Sequence, residues 1–141
     1  MEVWDTSALI AATRDPSADG HLSDALAEDA VAITEAILLE YLNGARNLGE
    51  YVRFETALRS TRILATESSA WERALSVHRR LAATGPGHQR SVRLVDLLVA
   101  AVAEANGLAV VHIDEDYERI ASITGQATRR LTQTDSRARL P

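Results

Sequence analysis

Apolar residues along the chain fall into short unbroken runs and longer stretches at helical spacing, and the two kinds alternate. Glu2 to Asp5 reads as a short strand that ends at an acid, and an apolar helix through Ala8, Leu9, Ile10 and Ala11 follows until Asp15-Pro16-Ser17 breaks it. A second helix is predicted over Ser17 to Glu28, and Ala30-Val31-Ala32-Ile33-Thr34 forms a buried strand bounded by acids. In Glu35 to Arg46 the residues Ile37, Leu38, Tyr41, Leu42 and Ala45 share one helical arc, with Glu40 at its edge and Gly44 and Gly49 near its end. Tyr51 to Arg59 suggests another helix, Arg62-Ile63-Leu64 a brief strand, and Ser68 to Ala82 a longer helix that stops before the loop Gly85-Pro86-Gly87. Leu94 to Ala105 is apolar almost all round, as a helix buried on most sides would be, and is interrupted mainly by Asp96 and Glu104. Ala109 to Ile113 is a buried strand running into Asp114-Glu115-Asp116, and a short helix follows from Tyr117 to Ser122.

Strands alternating with helices predict an α/β fold with a mainly parallel sheet, in which function gathers at the carboxyl ends of strands. Asp5 and Asp114 both stand at such ends. With 141 residues and no internal repeat, one domain over 1–141 is expected.

Composition narrows the chemistry. No stretch reaches the roughly 18 to 20 apolar residues that span a bilayer, and Met1-Glu2-Val3-Trp4-Asp5 lacks the basic flank of a secretory signal, so a cytoplasmic location without membrane attachment is expected. The absence of cysteine excludes disulfides, thiolate zinc sites and cysteine nucleophiles, so any metal must be held by oxygen or imidazole. The net charge of −5 argues against nucleic-acid binding by bulk charge, yet all 15 basic side chains are arginine, which suits bidentate phosphate recognition. Between Glu72 and Asp96 there is no acid, only Arg73, His78, Arg79, Arg80, His88, Arg90 and Arg93, and the tail holds Arg119, Arg129, Arg130, Arg137 and Arg139 against Asp135. Such runs form either a solvated face or a phosphate-binding surface.

Taken singly, the acids have ordinary explanations. Asp5 and either Asp114 or Asp116 would cap helices, and Glu40 would flank an apolar stripe. Asp96 is different, because a carboxylate in the first turn of a buried helix gains from the helix dipole but still demands a partner or a metal. Two strand-end acids, one at the start of a buried helix and one on a core-facing helix are most economically explained by convergence. Clustered carboxylates repel unless a cation is present, and hard oxygen ligands select Mg²⁺ or Mn²⁺.

Four segments, Val3-Trp4-Asp5-Thr6-Ser7-Ala8, Ile37 to Arg46, Asp96 to Ala103 and Val111 to Ala121, together resemble the PIN-domain nucleases, and within them the VapC-type toxins of bacterial toxin-antitoxin pairs. The resemblance implies a three-layer α/β/α sandwich with the acids at one end of the sheet. It implies that Asp5, Glu40, Asp96 and Asp114 hold the metal and carry catalysis, that Asp116 contributes as a fifth acid, and that Thr6 or Ser7 orients Asp5. The expected function is a metal-dependent endoribonuclease: one or two Mg²⁺ or Mn²⁺ ions lower the pKa of a water and aim it at an RNA phosphodiester. Arg79, Arg80, Arg90 and Arg93 would hold the RNA backbone around that acidic centre. Implied partners are RNA, a VapB-like antitoxin that buries an arginine or similar group in the acidic pocket, and a second copy in a homodimer. The apolar stretches around Ile10 and Leu42 also suggest the homodimer. His112 reads as a packed or surface histidine and Glu104 as structural, since Glu104 lies eight residues from Asp96, about 12 Å along the helix.

Two rival classes are weighed against this. A phosphotransfer domain on a doubly wound scaffold would want paired acids after the first strand or an Asp where Ser7 stands, and a receiver would also want a late lysine. A non-catalytic PIN-like binding module would not need all four acids, and all four are present.

Overall fold

A computed structural model describes residues 1–132. It contains a five-stranded sheet, all parallel, of β1 (Glu2–Trp4), β2 (Val31–Thr34), β3 (Arg62–Leu64), β4 (Val110–His112) and β5 (Thr128–Arg130), in the spatial order β3-β2-β1-β4-β5. Parallel strands covered on both faces carry continuous apolar runs, and β2 and β4 are buried at every position. The connecting helices are α1 (Thr6–Arg14), α2 (Leu22–Ala27), α3 (Glu35–Asn43), α4 (Leu48–Arg59), α5 (Ser68–Thr84), α6 (Leu94–Ala105) and α7 (Glu115–Thr124). α6 buries seven side chains, from Asp96 to Ala103, and joins Val3, Trp4, Ile33 and Val111 in a single core.

The chain runs from central β1 outward through β2 to β3, then returns to the other side of β1 as β4. The strand order therefore reverses between β1 and β4. A crevice opens outside the carboxyl ends of strands at such a point, and it is where parallel sheets place their ligands.

Several elements differ from the sequence expectation. The helix predicted over Ser17 to Glu28 is a 3₁₀ turn at Pro16–Ala18 followed by α2, because Gly20 (φ 56°) and His21 (φ 71°) adopt left-handed backbone that no helix continues through. The helix predicted to reach Arg46 stops at Asn43, and Asn47 caps a separate α4 through its side chain to the Glu50 N–H (2.9 Å). β1 ends at Trp4, which leaves Asp5 free to cap α1. β5 was not expected at all. Arg129 and Arg130, part of the arginine-rich tail that the sequence leaves as either a solvated face or a phosphate-binding surface, pair with Glu2 and Glu118, and Arg129 stacks over the Trp4 ring at 5.5 Å. Arg137, Arg139 and Asp135 lie outside the described residues.

In the apolar stretch around Leu42, Leu42 itself is buried in the chain's own core while Leu39 is exposed. Ile10 lines a cleft of about 610 Å³ with Tyr41, Arg46, Glu50 and Phe54. No helix among the described residues is long and apolar enough to cross a membrane.

Candidate metal centre

Each acid reaches the β1/β4 crevice by a different local device. Asp5 directly follows β1 and caps α1: its Oδ2 accepts the Ser7 N–H at 3.1 Å and the Ser7 hydroxyl at 2.7 Å. Of the two hydroxyl residues expected beside Asp5, Ser7 is the one that contacts it, while the Thr6 hydroxyl is buried without a hydrogen-bond partner among the described residues. Asp114 follows β4 and caps α7, with Oδ1 accepting the Asp116 N–H at 3.0 Å. Asp116, in the first turn of α7, bridges to neighbouring elements as well: its Oδ2 accepts the backbone N–H of Arg93 at the start of α6 (2.8 Å), and its Oδ1 takes the Arg119 guanidinium (3.2 Å). Asp96 is carried into the crevice by the first turn of α6 and is 1% exposed.

One carboxylate oxygen from each of Asp96, Asp114 and Asp116 lies within 4.8 Å of the other two. Acids this close repel one another unless a cation is shared among them. Asp5 joins through Tyr117, whose buried hydroxyl donates to Asp5 Oδ1 at 2.7 Å and contacts Asp96 Oδ1 at 3.2 Å. Glu40 stands at the rim and pairs with the Arg93 guanidinium at 3.2 Å. Of the four acids expected to hold metal, the structure therefore brings Asp96 and Asp114 into direct proximity with Asp116. Asp5 is linked to Asp96 through the Tyr117 side chain, and Glu40 pairs with Arg93, whose backbone N–H binds Asp116.

The electrostatics follow from this crowding. The Asp96 carboxyl is pushed up to about 8 by burial first, then by the adjacent Asp116 carboxyl and the negative charge of Asp5 and Asp114, against partial relief from Arg93. Burial opposes charge on Arg93 too, but Asp96, Glu40 and Asp5 prevail and raise its guanidinium pKa. Burial, reinforced by Asp5 and Asp96, holds the Tyr117 phenol well above its usual range, so it remains a hydrogen-bond donor. His112 is fully buried; its Nδ1 accepts the Asp114 N–H at 3.2 Å, and burial lowers its pKa. It is a packed residue that steadies the turn bearing Asp114. Glu104 pairs with Arg73 at 2.6 Å and ties α6 to α5.

A divalent cation fits the residues present. Asp96 Oδ2 is buried and has no hydrogen-bond partner among the described residues, a costly state for a carboxylate oxygen that a positive charge would relieve. Asp96, Asp114, Asp116 and Asp5 supply the hard oxygen donors such an ion requires.

The raised Asp96 pKa has a measurable sign. Between the unfolded value of 3.8 and about 8, the native protein holds a proton that the unfolded chain has released. Stability without divalent cation therefore falls as pH rises through that window. In EDTA the melting temperature is expected to be lower at pH 8 than at pH 5.5, and Asp96→Asn should flatten the difference. A wild-type profile that rises over the same range would contradict it.

Among the predicted phosphate-binding arginines, Arg93 lies at the rim of the acidic crevice, paired to Glu40. Arg79 and Arg80 are exposed on α5, and Arg90 is exposed in the 3₁₀ turn His88–Ser91 just before α6. Arg119 is occupied by Asp116, Glu115 and the Ser91 carbonyl. Tyr117 was the residue sequence reasoning missed. It stands in the recognised segment, but nothing in its spacing announces contact with Asp5, 112 positions away.

Comparison with known proteins agrees with this geometry. Residues 3–123 match the PIN domain. Ribonuclease VapC18 of Mycobacterium tuberculosis is 38% identical over 124 residues, covering 88% of this chain and 90% of that protein. Ribonuclease VapC51 of the same organism is 41% identical over 97 residues, 69% of either chain. A solved structure of VapBC-5 from Mycobacterium tuberculosis, a member of the VapBC family of toxin-antitoxin systems, is similar at a TM-score of 0.61 and 26% identity, covering 92% of this chain and 96% of that one. The chain belongs to the PIN-domain family, in its VapC branch.

Proposed function

We propose that this protein is a metal-dependent endoribonuclease toxin, with Asp5, Asp96, Asp114 and Asp116 as the carboxylates of its Mg²⁺ or Mn²⁺ centre and a VapB-like antitoxin as its inhibitor. The observation that carries the reading is the convergence of Asp96, Asp114 and Asp116 within 4.8 Å beside an unpartnered buried oxygen, at the strand-order reversal of a PIN domain. A divalent cation bound there supplies the positive charge that activates water and stabilises the charge developing on a phosphodiester. The chain's own residues do the rest. Glu40 holds the Arg93 guanidinium beside the carboxylates, where it meets the phosphate that those acids alone would repel. A carboxylate within hydrogen-bond reach of the attacking water takes its proton.

The purified chain should cleave single-stranded RNA with Mg²⁺ or Mn²⁺ and stop when EDTA is added, with activity returning on replenishing the ion. Cleavage indifferent to EDTA would refute the metal centre. An antitoxin that inserts an arginine or similar cation among the carboxylates would block both ion and substrate; a short reading frame just upstream that encodes such a partner is expected, and its co-expression should abolish toxicity. The same reading includes a homodimer. Trp71 and Leu75, one turn apart on α5 and both more than half exposed, are the apolar side chains a second copy would cover, and light scattering reads the mass directly.

Arg79, Arg80 and Arg90 are assigned to the RNA backbone. Single-stranded binding loses roughly 0.7 in log–log salt slope for each phosphate contact removed. In a cleavage-dead Asp96→Asn background, Arg79→Ala with Arg80→Ala should therefore flatten the slope by about 1.4. An unchanged slope would return these two arginines to the solvated face.

A further inference from the structure

The proposed metal centre leaves one of its contacts unexplained. Tyr117 is 0% exposed, and its ring packs 5.2 Å from that of His112 in the core. Phenylalanine would fill that volume equally well, and it would avoid burying a hydroxyl that needs a partner. The hydroxyl instead lies between two carboxylates brought from opposite parts of the chain, at 2.7 Å from Asp5 Oδ1 and 3.2 Å from Asp96 Oδ1. One hydrogen thus ties the turn after β1, the first turn of α6 and the body of α7.

The oxygens it selects matter. Asp5 Oδ2 is already held by Ser7, so Tyr117 fixes the remaining oxygen and locks the whole carboxylate plane. At Asp96 the contact goes to Oδ1 and leaves Oδ2 as the oxygen without a hydrogen-bond partner among the described residues. A carboxylate held by one oxygen and open at the other is arranged for a ligand.

We propose that Tyr117 is a positioning residue of the metal centre: its hydroxyl sets the orientation of Asp5 and Asp96 so that Asp96 Oδ2 is presented to the divalent cation. The proposal rests on the metal-centre reading above. Residues that orient metal ligands through a hydrogen bond, when removed, typically weaken metal affinity by about 10- to 100-fold.

The test is Tyr117→Phe in the full chain, without RNA, titrated with Mn²⁺ and read by the EPR signal of the free ion. Dissociation about tenfold weaker than wild type is expected, with the far-UV circular dichroism of the native fold retained. Unchanged or tighter binding by the folded variant would overturn the proposal, since a role confined to core packing predicts no change. A second reading needs no variant at position 117. The chain has three tyrosines, so wild type labelled at tyrosine ¹³Cζ gives three signals, assigned with Tyr41→Phe and Tyr51→Phe. Saturating Mg²⁺ should move the Tyr117 signal most, and a Tyr117 signal that stays in place would overturn the proposal. Wild type that binds neither ion removes the metal centre and this proposal together. Equal binding by wild type and Tyr117→Phe overturns the role of Tyr117 alone.

Discussion

Asp96→Asn is expected to reduce metal-supported RNA cleavage by about a hundredfold or more while leaving the metal-free protein at least as stable as wild type. Both halves follow from its environment. In the proposed centre, losing the charge removes a direct ligand, whose effect should equal or exceed the 10- to 100-fold typical of a residue that merely orients one. The same charge is unwelcome without the ion: Asp96 is buried, crowded by Asp116, Asp5 and Asp114, and pushed up to about 8. Asparagine keeps the volume and an oxygen for Tyr117, and has no charge to desolvate. Thermal melts in EDTA and cleavage assays with Mn²⁺ read the two effects separately. Wild-type-like cleavage by the folded variant would sink the assignment of this acid.

The second large effect is expected at Asp116, where two roles can be pulled apart. Its carboxylate belongs to the trio within 4.8 Å, and it also accepts the Arg93 N–H that begins α6. Asp116→Asn removes the charge but retains an acceptor, so Mn²⁺ affinity should fall about 10- to 100-fold with little loss of stability. Asp116→Ala should lose the same affinity and in addition about 1–3 kcal/mol of stability from the stranded N–H. Glu40→Gln serves as the contrast, because that carboxylate reaches the centre only through Arg93 and should change Mn²⁺ affinity less than either Asp116 variant. If Glu40→Gln proves the more damaging of the three, the trio is the wrong ligand set.

The sequence carried the sheet well where burial wrote it. β2 and β4 are buried at every position because helices cover both faces, their apolar residues giving way only to Thr34 and His112 at the ends, and the acids at or just beyond strand ends followed from them. β5 escaped notice because Thr128-Arg129-Arg130 has no apolar residue; backbone pairing with β4 and ion pairs to Glu2 and Glu118 hold it instead. The reach of the second helix was overestimated because left-handed backbone at His21 is not a property a histidine announces.

Within the site, Asp96 was legible from the contradiction of an acid in an apolar helix. Glu40 depended on family likeness, and its geometry is that of an acid holding an arginine. Asp116 was harder to rank than Asp114, since both follow the same strand. What separates them is the N–H of Arg93, 23 residues earlier in sequence and adjacent only after folding. Tyr117 was hidden for the same reason.

The order of the strands also bears on when the activity can exist. β1 emerges from the ribosome first, yet its second neighbour, β4, begins at Val110, and the carboxylate trio closes only with Asp116. Domains fold as units and the amino-terminal part is made first, so the proposed metal centre can form only once synthesis has passed Asp116. A nascent polypeptide that stops short of that residue lacks the carboxylates on which the proposed cleavage depends.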